Sequence, residues 1–119
     1  MRELTFDFDD RGDVVVAELD GEIDSSNAGE LQGALAARFP RTASVLALDL
    51  SRVTYLDSSG IELLFELGRS LAARRQRIRL IVPEAAPVRR VLELCAVESV
   101  APIDGDLADV LGAIAGPTD

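Results

Sequence analysis

The run Val45-Leu46-Ala47-Leu48-Asp49-Leu50, continued by Ser51-Arg52-Val53-Thr54-Tyr55-Leu56 and then Asp57-Ser58-Ser59-Gly60, holds the middle of this 119-residue chain. Its first six residues are almost continuously apolar, which predicts a central strand covered on both faces. Residues 51 to 56 read as a loop. Beyond Gly60, the residues Ile61, Leu64, Phe65, Leu67 and Leu71 recur on one helical face, and the basic cluster Arg74, Arg75, Arg77 suits the C-terminal end of that helix's dipole. A buried strand, a polar junction and an amphipathic helix make the repeating unit of an α/β fold.

Upstream, Leu4, Phe6 and Phe8 alternate with Glu3, Thr5 and Asp7, the period of a half-buried strand over residues 3 to 8. A turn over Asp9 to Asp13 leads to the β-branched run Val14 to Leu19, which pairs with the first strand as a hairpin and ends at Gly21. Ser25 and Ser26 offer N-caps to a helix carrying Ala28, Leu31, Leu35 and Ala36, which Pro40 stops. Downstream, Ile78 to Val82 predicts another strand. Pro87 to Cys95 predicts a short helix with Val88, Val91, Leu92 and Cys95 on its core face. Val100 to Ile103 predicts an edge strand and Leu107 to Ile114 a last helix. The order β-β-α-β-α-β-α-β-α predicts an α/β fold: one domain over residues 1–119, with a mixed, mainly parallel sheet of four to five strands and about four helices.

Composition removes most chemistry. The chain has no histidine, lysine or tryptophan, and Cys95 is its one cysteine. That excludes a Ser-His-Asp or Cys-His triad, a histidine-ligated metal, a phosphate-binding or Schiff-base lysine and an intrachain disulfide. No catalytic residue, metal or cofactor is expected, and the protein is not expected to be an enzyme. With 21 acidic and 12 basic residues the formal charge is -9, which disfavours DNA and anionic membranes and favours a partner with a basic face. Acids stand where a signal peptide needs an apolar run, and no apolar stretch approaches the roughly 20 residues that span a bilayer. A reducing cytoplasm is the expected location.

Asp57-Ser58-Ser59-Gly60 is the one segment that packing does not explain. A helix start presents unpaired N–H groups and a partial positive charge, and so stabilises a phosphate, bound or covalent. Capping competes with that reading, since Asp57 or Ser58 is a favourable N-cap worth about 1 kcal/mol.

Here the chain resembles the STAS family, and within it the bacterial anti-sigma factor antagonists. Three stretches carry the resemblance: Gly21-Glu22-Ile23-Asp24; Leu48 through Asp57-Ser58-Ser59-Gly60-Ile61; and Val88-Arg89-Arg90-Val91-Leu92-Glu93-Leu94. The resemblance implies that Ser58 is phosphorylated by a partner that is both anti-sigma factor and serine kinase. It further implies that only the unphosphorylated form binds that partner and releases the sigma factor, and that a PP2C-type phosphatase resets the switch. Asp24, Asp57, Ser58, Ser59, Gly60 and Glu62 are the expected partner-binding residues, with no direct DNA or membrane contact and a monomer or weak dimer as the expected state. Glu62 departs from the family's small or apolar residue at that position. With Glu66 one turn on, it adds negative charge near Ser58. The alternative is a STAS scaffold that is never phosphorylated, either a stressosome-like component or the small subunit of a lipid-transport ATPase.

Overall fold

The period-2 pattern at the N-terminus gives the strand it requires. In a computed structural model, which describes residues 3–115, β1 (Thr5–Arg11) holds Phe6 and Phe8 against the core and leaves Thr5, Asp7 and Asp9 exposed. The expected turn contracts to Gly12-Asp13, with Gly12 at φ +76°. β1 then pairs antiparallel with β2 (Val14–Ile23) from Arg11↔Val14 to Thr5↔Asp20. Gly21 does not end β2. It adopts φ +124°, and a Cβ there would overlap the carbonyl oxygen of Glu3, so glycine carries the strand through an irregularity that a side chain would block.

That continuation corrects the reading of residues 51 to 56. β3 (Val45–Leu56) is one strand of 12 residues, not a short strand and a loop. Its second half pairs with the extended end of β2, Gly21↔Val53 after a register shift between Glu18 and Asp20 and Ile23↔Leu56 after a second one between Gly21 and Glu22. Those shifts break the apolar alternation that would have marked the segment as a strand. With β4 (Arg77–Ile81) and β5 (Ile103–Asp104) the sheet order is β1-β2-β3-β4-β5, parallel throughout except for β1. β5 lies later than the expected 100–103, because a 3-10 turn over Val97–Ser99 takes up the chain before it.

The helices α1 (Ala28–Arg38), α2 (Ser58–Ala73), α3 (Arg89–Leu94) and α4 (Leu107–Ala115) cover the two faces unequally. Alternate residues of the strands sort between them. Leu46, Leu48 and Leu50 of β3 join Leu31 and Leu35 of α1, Leu63, Leu64 and Leu67 of α2, and Leu92 of α3 in the larger core. Val45 and Ala47, with Val14, Val16 and Ile81, meet Val110 of α4 on the other side. The architecture is α/β, a mixed five-stranded sheet with four helices, as the element order predicts.

Two local expectations fail. Cys95 is exposed rather than core: it is the C-cap of α3, and after the left-handed turn at Ala96 it is Val97 that enters the core. Of the basic cluster, Arg74 is the C-cap of α2, but Arg75 and Arg77 lie beyond the helix. That helix stops at Ala73, Arg75 turns the chain at φ +60°, and Arg77 opens β4. Among the described residues no helix is long and apolar enough to cross a membrane. The ends of the expected 1–119 domain, residues 1–2 and 116–119, lie outside the described residues.

Candidate protein-interaction site

β2 and β3 end side by side, and the chain leaves each of them through an aspartate. The amide of Asp57 donates to the carbonyl of Ile23 at 3.2 Å, which fixes the junction after β3 to the end of β2. Asp57 is extended, and its Oδ1 accepts from the amides of Ser59 at 2.8 Å and Gly60 at 3.3 Å. Its carbonyl accepts from Ile61 at 3.1 Å. Asp57 is therefore the N-cap of α2, a role worth about 1 kcal/mol. It also engages the amides of Ser59, Gly60 and Ile61, so the start of α2 is not the array of free donors that the sequence suggests.

Ser58 is left as the first residue of the helix, exposed, with a hydroxyl that makes no hydrogen bond among the described residues. Ser59 is half-buried. Gly60 is buried and faces inward: a Cβ on it would lie 3.0 Å from Cβ of Leu56 and 3.3 Å from Cγ2 of Ile23. The absent side chain lets the first turn of α2 seat directly on the ends of β2 and β3. Buried Leu63 and Leu64 continue that contact along the helix.

The neighbouring turn after β2 is built differently. The Asp24 carboxylate accepts from the amide of Ser26 at 2.9 Å and from its hydroxyl, while the Asp24 amide donates to Oδ1 of Asn27 at 3.0 Å. Nδ2 of Asn27 donates to the carbonyl of Glu22 at 2.8 Å. The hydrogen bond from the Ser26 hydroxyl, aided by the Ser26 amide, holds the Asp24 carboxyl below its ordinary value. Neither Ser25 nor Ser26 caps α1 as expected. Asn27 occupies the cap position without a side-chain capping bond, because its amide group is taken up by the Asp24 amide and the Glu22 carbonyl instead.

The expected site residues consequently divide among three surfaces. Ser59 and Glu62 line a shallow groove of about 200 Å³ between α1 and α2, with Ser25, Gln32 and Glu66. Asp24 lines a different cavity of about 380 Å³, with Ser26, Asn27 and Glu30 of the α1 start and Glu3, Leu4 and Phe6 beside it. Ser58 lines neither and stands on the open edge. Tyr55, 52% exposed and three residues before Ser58, was not picked out from the sequence, where it reads as part of a loop. Asp49 accepts from the amide and hydroxyl of Ser51, a local bond within β3. Arg89 donates to Glu93 and to the carbonyl of Val82, tying α3 to the chain just after β4. Among the described residues no group of three or more acidic or cysteine side chains is arranged to hold a metal.

A mixed sheet whose strand-end edge displays an aspartate-capped helix and an unengaged serine defines a small α/β domain with its distinguishing chemistry on an open surface. The chain belongs to the STAS domain family: residues 6–103 match the family model described as Mlab, STAS domain. It is 31% identical over 91 residues to BtrV of Bordetella bronchiseptica, named as a candidate anti-sigma factor antagonist, covering 76% of this chain and 77% of that one. The crystal structure of an anti-sigma factor antagonist from Mycobacterium paratuberculosis superposes with a TM-score of 0.82 at 27% identity, over 95% of each chain. The unphosphorylated form of the anti-sigma factor antagonist SpoIIAA shares the fold, with a TM-score of 0.75 at 19% identity over 97% of this chain and all of that one.

Proposed function

We propose that this protein is an anti-sigma factor antagonist whose unphosphorylated form binds an anti-sigma factor that is also a serine kinase, releasing the sigma factor. Phosphorylation of Ser58 switches the binding off, and a PP2C-type phosphatase restores it. The role is regulatory and non-catalytic, in the cytoplasm. One observation carries the reading: Ser58 is exposed and unbonded at the first position of α2, while the separate residue Asp57 caps the helix. Modifying Ser58 therefore leaves the cap, the packing of Gly60 and the fold in place. The names of the Bordetella and Mycobacterium relatives support the same role.

The bond pattern also says where the phosphate's effect falls. Phosphorylation adds about -1.5 to -2 charges. Because Asp57 already engages the following amides, the helix start has few donors left to neutralise that charge, which stays on the surface beside Asp57 and within a turn of Glu62. A partner packed over this edge then meets repulsion and desolvation together. A loss of two to three kcal/mol is roughly 30- to 150-fold in affinity. Asp57, Ser58, Ser59 and Glu62 form the contact edge in this reading. Gly60 serves by seating the helix, and Asp24 by shaping the adjacent turn.

Calorimetry with candidate anti-sigma factor kinases tests the proposal. Ser58→Ala should bind like the parent and remain bound in the presence of ATP. Ser58→Asp should bind at least about tenfold more weakly, or 1.4 kcal/mol. Equal affinity of the two variants, with no phosphorylation by any candidate kinase, would instead favour a STAS scaffold that is never phosphorylated.

A further inference from the structure

The opposite edge of the sheet carries the reverse charge. None of the 21 acidic residues falls between Glu66 and Glu84, whereas Arg69, Arg74, Arg75, Arg77 and Arg79 all do. Three of these arginines line one cavity of about 340 Å³ at the start of β3 and β4, together with Ser44, Val45, Asp13 and the end of α4. Arg79 is held there by a two-pronged pair with Asp104, Nε to Oδ2 at 2.7 Å and Nη2 to Oδ1 at 3.1 Å. Arg75 and Arg77 have no acidic partner among the described residues.

The turn that presents them is pinned. Gln76, buried between the two arginines, donates from Nε2 to the carbonyls of Pro40 at 3.0 Å and Ala43 at 2.9 Å, while the Arg77 amide donates to the Ser44 carbonyl at 2.9 Å. Ser44 is thereby fixed on the same edge as Arg75 and Arg77. Arg75 itself adopts the left-handed conformation at φ +60° that closes α2, a position where glycine is the favoured residue. A cationic side chain is thus kept where backbone conformation favours none, on a preorganised turn, over a cavity of ligand size.

We propose that this cavity binds a phosphorylated small molecule with an apolar body. The guanidinium groups of Arg75 and Arg77 and the hydroxyl of Ser44 receive the phosphate, and Val45, Ala113 and Ile114 form the wall against the rest of the ligand. Asp13, on the same lining, disfavours a second anionic group and restricts the ligand to one phosphate. The site lies at the start of β3, whereas Ser58 follows its end, roughly 35 Å away at about 3.3 Å per residue. The inference is independent of the function proposed for Ser58.

Titration calorimetry of the full chain at physiological salt, with phenyl phosphate and with inorganic phosphate as probes, tests it. One saturable site is expected, at least about threefold tighter for phenyl phosphate, and Arg77→Gln should weaken it at least about tenfold. Arg75→Gly provides the sharper control: it should weaken phenyl phosphate binding while raising the melting temperature, since it removes the cation and relieves the backbone at once. Absence of saturable binding, equal affinity for the two probes, or unchanged affinity in both variants would overturn the proposal.

Discussion

Asp24-Ser25-Ser26-Asn27 and Asp57-Ser58-Ser59-Gly60 begin with the same three residues and follow neighbouring parallel strands at the same edge of the sheet, yet they build different turns. After β2 the aspartate binds the second serine's hydroxyl, the Asn27 side chain closes back on the backbone of Glu22 and Asp24, and the helix waits until Ala28. After β3 the aspartate caps the helix, which begins at once with Ser58. The fourth residue separates the two outcomes. Gly60 has no side chain to keep α2 off Leu56 and Ile23, whereas Asn27 uses its side chain to bridge Asp24 and Glu22. Ser25 and Ser58 are both exposed, and neither hydroxyl makes a hydrogen bond among the described residues; what the aspartate cap and the buried glycine add at Ser58 is a place on the first turn of a helix seated on the sheet.

The largest way to break this contrast is Gly60→Ala. Its methyl group would press on Leu56 and Ile23, and overpacking of this kind costs about 1–3 kcal/mol. Gly29→Ala, in α1 with nothing within 4 Å of the new Cβ, should instead stabilise by up to about 1 kcal/mol. Urea denaturation of both reads the difference, and equal effects would contradict the close seat of α2. Asp57→Ala should cost about 1 kcal/mol through the lost cap, and Asp57→Asn should restore most of it.

Smaller effects separate the serines. Ser26→Ala removes a side-chain hydrogen bond to Asp24 and should destabilise by about 0.5 kcal/mol, the low end for an exposed bond. Ser58→Ala should stay within about 0.5 kcal/mol of the parent, because its hydroxyl supports nothing in the fold. Acid stability sharpens the same point. Asp24 has its folded-state pKa below the ordinary 3.8, so its contribution is present above the unfolded value and lost as pH falls through the folded one. Asp24→Asn should flatten that part of the acid limb. Ser26→Ala should flatten it too, since the Ser26 hydroxyl is the main cause of the shift.

Much of this was legible from residue types alone. The alternation of Leu4, Phe6 and Phe8, the apolar run from Val45 to Leu50 and the helical spacing after Gly60 each give an element where the structure has one. The second half of β3 was not legible, because register shifts around Gly21 scramble the pattern that pairing would produce. Cys95 misleads because helical spacing alone puts it with Val88 and Leu92, whereas the chain turns at Ala96 and buries Val97 there instead. At the site, sequence isolates Asp57-Ser58-Ser59-Gly60 but leaves the cap open between Asp57 and Ser58. Only hydrogen-bond geometry assigns it to Asp57. The matching Asp24-Ser25-Ser26 shows why a motif of three residues is insufficient: its context, a buried glycine against a bridging asparagine, decides what is displayed.

The most direct test of Ser58 as the modifiable serine is to incubate the protein with ATP and candidate anti-sigma factor kinases, then locate the phosphate by mass spectrometry. The proposed function predicts phosphate on Ser58, the first residue of the capped helix, and none on Ser25 or Ser26. Phosphate on Ser25 or Ser26 instead, or at no serine of either turn, would contradict it.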